Sequence, residues 1–141
     1  MSMKNIEQYF TNQNWKYETL NENTIKKILK CDNSTFAFFI QNLTTNDGEP
    51  NVLGIKTYIA EGMFNNITQD KKIEIFEALN KLGNEYYFGK FHMDEDNDII
   101  LSHFLTVNNK FVDEQDFLRV LSALCNVADE SFAILMKLRW S

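Results

Sequence analysis

The residues able to do chemistry are few and scattered. Asp94-Glu95-Asp96-Asn97-Asp98 places carboxylates at alternating positions, as a calcium loop begins. It then departs from that pattern: Ile99 stands where the loop needs a glycine, and Leu105 where it needs a bidentate glutamate. The stretch therefore reads as a solvated turn. His92 and His103 flank it. On facing arms of a hairpin their parity puts them on opposite faces, so they read as surface or sheet-edge histidines, not as a shared metal or acid–base pair. Cys31 and Cys125 lie far apart in unlike contexts, which predicts two reduced thiols. Cys125, on or beside an apolar helix stripe with no histidine indicated nearby, reads as a buried inert thiol, and Cys31 at a strand end as a weaker case of the same. No GxSxG, Walker loop, GxGxxG or HExxH occurs. The expectation is no catalytic set, no cofactor and no metal.

The elements that hold these residues are organised around residues 68 to 104, an amphipathic helix feeding a β-hairpin with an acidic tip. Ile73, Phe76, Leu79 and Leu82 mark the helix face, with Thr68 as cap, Asp70 suiting the dipole and Gly83 as a left-handed stop. The hairpin arms are 86–93 and 99–107. A loop of Asp96, Asn97 and Asp98 puts Phe91 and Met93 on one face with Ile99 and Leu101; a two-residue loop pairs them with Ile100 and Ser102 instead. The first makes the more apolar buried face and is preferred.

Before this unit, 3–13 reads as a short helix with Ile6, Tyr9 and Phe10 on one face and Ser2 as cap, and Trp15 plugs the gap between helix and sheet. Segments 15–20, 24–30, 35–43 and 52–60 then read as three or four antiparallel strands joined by short turns, with Asp47-Gly48 and Pro50 in the loop before the last. After the hairpin and a turn at Asn108 to Lys110, Asp113 caps a closing helix, with Val112 against Phe117 as a staple. Its stripe, Phe117 to Leu138, spans about 25 residues or roughly 38 Å. Asn126, Asp129 and Ser131 are the places it could bend.

The fold class that results is α+β, one domain over 1–141, with an antiparallel sheet packed against helices. The net charge of −6 and pI near 4.9 disfavour a nucleic-acid backbone or an anionic membrane as partner. The start lacks a basic stretch followed by an apolar run, and no apolar run is long enough to span a bilayer, so a cytoplasmic location without signal peptide is expected. Twelve Phe, five Tyr and two Trp exceed what a core of this size needs. Phe38-Phe39 and Tyr86-Tyr87-Phe88 put aromatics on both faces of a strand. Either helices cover both, or one face stays partly open and receives a partner's helix or strand. Phe39, Tyr86, Phe88 and Phe104 are the candidate partner-binding residues.

Taken together, YFTNQNWKYE, CDNSTFAFFI, Leu79-Asn80-Lys81-Leu82 and GKFHMDEDNDI resemble the YbjN-like family of small bacterial proteins, whose fold is similar to that of type III secretion chaperones. The resemblance spans nearly the whole chain and rests chiefly on Gly89-Lys90-Phe91 with Met93-Asp94 and on the Leu79-Asn80 pair. It implies the order α-β-β-β-α-β-β-α and a non-enzymatic binding or regulatory role in the bacterial cytoplasm, with homodimers in scope and no catalytic residues to transfer. Two departures stand out. The second hairpin arm is neutral near Ile100 and Ser102, where the family usually has basic residues, and Asn66-Ile67-Thr68 replaces a segment that often holds proline. The expected function is a protein-binding or regulatory, chaperone-like domain using an aromatic sheet face or the C-terminal helix. The alternative is a small-molecule or peptide-binding domain with a pocket between sheet and helices, and a third reading is a self-associating structural protein.

Overall fold

A computed structural model describes residues 3–44, 51–107 and 112–140. The expected Ser2 cap, the Asp47-Gly48 and Pro50 loop and the 108–110 turn lie outside them. In chain order the elements are α1 (Lys4–Asn12), β1 (Glu18–Asn21), β2 (Thr24–Lys30), β3 (Thr35–Asn42), β4 (Asn51–Ala60), α2 (Gln69–Glu85), β5 (Lys90–Met93), β6 (Ile99–Val107) and α3 (Glu114–Arg139). The strands form one antiparallel sheet in the order β1-β2-β3-β4-β6-β5. This is the expected α+β architecture, its first half supplying four strands.

Period-two alternation decides which side of the sheet is covered. Phe36, Phe38 and Ile40 of β3 are buried, as are Leu53, Ile55 and Ile59 of β4. They share one core with Ile6 and Phe10 of α1, Ile75 and Leu79 of α2, and Phe117, Leu121 and Leu124 of α3. All three helices therefore contribute to the same side. Thr68 caps α2 by accepting from the Lys71 backbone N–H at 3.2 Å, and Asp113 caps α3 by accepting from that of Gln115 at 3.1 Å. The α3 helix runs unbroken past Ser131, whose hydroxyl donates back to the carbonyl of Val127 at 2.7 Å, leaving no buried hydroxyl unpaired there.

The hairpin has the expected parity. Met93 pairs with Ile99 and Phe91 with Leu101, across a five-residue connection, Asp94 to Asp98, longer than the three-residue loop expected. Asp94 organises that connection: its carboxylate accepts from the N–H groups of Asp96 and Asp98 at 3.0 and 2.9 Å. Asp98 in turn accepts from the Gly62 N–H at 2.6 Å, tying the tip to the loop before α2.

Four expectations need correction. The inward face of α2 is Ile75, Leu79 and Leu82, while Ile73 and Phe76 are 48% and 47% exposed. A repeat of three drifts about 60° per step around a helix of 3.6 residues per turn, so Ile73 and Leu82 point to opposite sides. Gly83 does not stop α2; the helix continues through it to Glu85, its last-turn carbonyl from Leu82 accepting the Tyr86 N–H at 3.2 Å. The first hairpin arm begins at Lys90, not at position 86, because Gly89 has φ +87° and the strand cannot extend back through it. Finally, Cys31 and Cys125 are not two free thiols but a disulfide, with Cα atoms 5.8 Å apart. The end of β2 and the middle of α3 are distant in sequence and stacked in space, which separation along the chain hides.

Candidate interaction face of the sheet

Residues that alternate with the core positions make up the sheet's other side. On β2 these are Lys26 and Ile28, on β3 Ala37 and Phe39, on β4 Gly54, Lys56 and Tyr58, on β6 Ile100, Ser102 and Phe104, and on β5 Lys90 and His92. Among the described residues no helix lies over them. Ile28 is 57% and Phe104 52% exposed. The centre is self-shielded: Ile100 stands in register between Tyr58 and His92, and is itself only 5% exposed.

The aromatic groups on this side are held in place. Phe39 and Tyr58 meet edge-on with centroids 6.3 Å apart, and the Lys56 ammonium sits 5.7 Å from the Tyr58 ring. Gly54 makes room for larger neighbours, since a Cβ there would lie 2.7 Å from Leu43 and 3.6 Å from the Phe104 ring. The result is a fixed surface of rings, methyl groups and lysines.

The four candidate partner-binding residues do not come together. Phe39 and Phe104 share this side on β3 and β6, with β4 between them. Phe88 lies in the loop before β5, 39% exposed, with its ring 5.7 Å from that of His103. Tyr86 belongs to the helical side. Its hydroxyl donates to Glu130 at 2.6 Å, and burial, that bond and the charges of Glu130 and Glu85 push its pKa up to about 12. The sequence reading missed Tyr58, Ile28 and the lysines, although the alternation of Lys56 and Tyr58 with Ile55, Thr57 and Ile59 was there to be read.

Other perturbed groups are spread over the molecule. The Tyr9 hydroxyl donates to the Val112 carbonyl at 2.6 Å, and burial followed by the charges of Asp113 and Glu114 raises its pKa. Burial lowers that of Lys27, which donates to the Lys16 carbonyl at 2.7 Å and lies 5.4 Å from the Trp15 ring. Burial also lowers that of His103, whose Nδ1 accepts the Gly89 N–H at 3.2 Å. These groups bind four different partners and do not converge on one reacting point. His92 faces outward opposite Ile100, and His103 inward opposite Ile55, as parity required. Asp94, Asp96 and Asp98 bring carboxylate oxygens within 4.8 Å of one another, but those of Asp94 and Asp98 are already engaged by backbone N–H groups. Open grooves exist elsewhere, among them one of about 650 Å³ between α2 and β5 lined by Phe76, Leu79, Gly83, Phe91 and Met93, and one of about 270 Å³ beside Cys31 and Cys125. No helix among the described residues is long and apolar enough to cross a membrane.

Compared with known families, residues 2–135 match YbjN, described as "Putative bacterial sensory transduction regulator". The chain belongs to the YbjN family. YbjN itself, described as "a putative transcription regulator from E. coli", superposes with a TM-score of 0.60 at 12% identity, covering 96% of this chain and 94% of that one. An uncharacterized protein from Methanothermobacter thermautotrophicus superposes with a TM-score of 0.63 at 11% identity, covering 100% of both. At these identities the likeness of this YbjN-family chain to both structures is one of fold. No curated protein matches the sequence.

Proposed function

We propose that this YbjN-family domain is a non-catalytic regulatory module that docks a partner protein on the uncovered side of its sheet. The observation that carries the reading is that side itself. Four strands present Ile28, Phe39, Tyr58 and Phe104 with no covering element among the described residues, although the opposite side is packed by three helices. Apolar side chains left out of a core on a rigid scaffold are the usual mark of a docking surface. The family description as a sensory transduction regulator supports a binding role. A cytoplasmic location is part of the proposal. The Cys31–Cys125 bond counts against it, since the cytosol keeps most thiols reduced; thiol labelling in intact cells decides the point.

The test is a photo-reactive residue at position 104, compared with one at Ile134 on α3, which is also exposed at 41%. Irradiated in its own cells, the protein should give a discrete adduct from 104 and not from 134. The reverse pattern would move the docking surface to the helices. A second reading, a peptide or small-molecule ligand, is favoured by the groove between α2 and β5. It predicts that Phe76→Ala and Phe91→Ala, not Phe104→Ser, abolish binding.

A further inference from the structure

The register of the sheet sets a row of charges that no single stretch of sequence reveals. Lys26 pairs with Phe39, Phe39 with Lys56, Lys56 with Ser102, and Ser102 with Lys90. The line therefore reads Lys-Phe-Lys-Ser-Lys across β2, β3, β4, β6 and β5. Its lysines fall on alternate strands, about 10 Å apart at the usual strand spacing. From β2 to β5 the outward strand positions contain no aspartate or glutamate, in a chain whose net charge is −6. The nearest carboxylate in register is Glu18, opposite Lys26 on the marginal strand β1. Among the described residues none of the three ammonium groups has an ion-pair partner, and that of Lys56 rests against Tyr58. An acidic protein that gathers its lysines this way, among exposed rings, is complementary to an acidic, partly apolar surface.

We propose that the sheet side takes an extended acidic segment of another protein, lying across the strands, with carboxylates on Lys26, Lys56 and Lys90 and apolar residues against Phe39 and Phe104. An extended segment in the polyproline II form advances about 3.1 Å per residue and returns to the same face every three residues, about 9.3 Å, so the fitting spacing is an acid at every third position. This rests on the docking side named under the proposed function and adds the partner's chemistry. Single-stranded nucleic acid could also use lysines and rings. The overall negative charge and the absence of arginine from the row favour the protein segment, whose charge is sparser than that of a phosphate backbone.

The experiment uses the full chain and a fluorescein-labelled 13-residue peptide with glutamate at every third position and leucine or threonine between. A glutamine counterpart and a 15-nucleotide oligo-dT serve as the other arms. Fluorescence anisotropy should show the glutamate peptide binding more tightly than the glutamine one, with affinity falling as salt rises. Lys26→Gln/Lys56→Gln/Lys90→Gln should weaken the glutamate peptide about tenfold and leave the glutamine peptide unchanged. Circular dichroism confirms that the triple variant is folded, and the salt dependence of the unaltered protein gives the same answer if it is not. Equal binding of the two peptides, no binding of either, or preference for oligo-dT would overturn the proposal. An adduct from position 104 that persists in the triple variant would reject the acidic segment while leaving the docking side intact. Failure of that adduct in the unaltered protein would reject the docking side.

Discussion

Cys31, just past the last residue of β2, is bonded to Cys125 in the middle of α3, 94 residues later in the chain. The bond pins the sheet to the longest helix beside a shallow groove that also holds Trp15 and Asp32. Closing a loop of that length removes about 4–5 kcal/mol of conformational freedom from the unfolded chain. The oxidised protein should show no thiol reactive to maleimide. Reduction, or the Cys31→Ser/Cys125→Ser double variant, should lower its melting temperature by on the order of 10 °C. Maleimide labelling of the native protein with a thermal melt in and out of reductant checks both.

Gly89 is the tightest backbone position in the hairpin unit. Its φ is +87°, and an added Cβ would lie 2.5 Å from Leu101 and 3.2 Å from Leu124. Gly89→Ala must strain the backbone and push the hairpin off α3, at a cost of about 2–4 kcal/mol. Gly83→Ala is its counterpart: helical, with nothing within 4 Å of the new methyl, it should stabilise by about 0.5–1 kcal/mol. Urea denaturation of the two variants should move in opposite directions.

His103 makes stability depend on pH in a fixed sense. Burial lowers its folded pKa, and its Nδ1 already accepts the Gly89 N–H, so the folded protein holds the ring neutral. The unfolded chain takes up its proton near pH 6.5. Unfolding therefore gains protons below that pH, and His103's contribution is present above it and lost as pH falls through and below 6.5. His103→Gln should reduce the fall in urea midpoint between pH 7 and pH 5. An unchanged slope would show that other groups carry it.

The two isoleucines of α2 separate its faces. Ile75 is fully buried, and Ile75→Ala should cost about 2–5 kcal/mol through the cavity it leaves. Ile73 is exposed, and Ile73→Ala should change stability by less than about 1 kcal/mol. Thermal melts of the pair read the helix orientation directly.

How far the sequence discloses this molecule depends on how local the signal is. Thr68 and Asp113 announce their helices because a cap acts within three residues. Met93 and Phe91 find Ile99 and Leu101 because a hairpin's register is set by its own turn. The face of α2 was misjudged because Ile73, Phe76, Leu79 and Leu82 suggest a period that a helix does not keep. The Cys31–Cys125 bond and the row Lys26, Lys56, Lys90 depend on strand order and on layers stacking, which no window along the chain contains. Phe39 and Phe104 were legible as surplus aromatics, but that Tyr86 turns toward Glu130 on α3 was not.

Both margins of the sheet are closed by strands of only four residues, β1 and β5, and β1 is irregular where its pairing shifts between Thr19 and Asn21. Edge strands that short and uneven are poor templates for a second sheet, though 27–30 of β2 and 103–107 of β6 run past them without a strand partner on that side. A molecule that keeps a bare apolar surface could pay for it by fibril growth; here the short rims make a poor template for edge-to-edge growth.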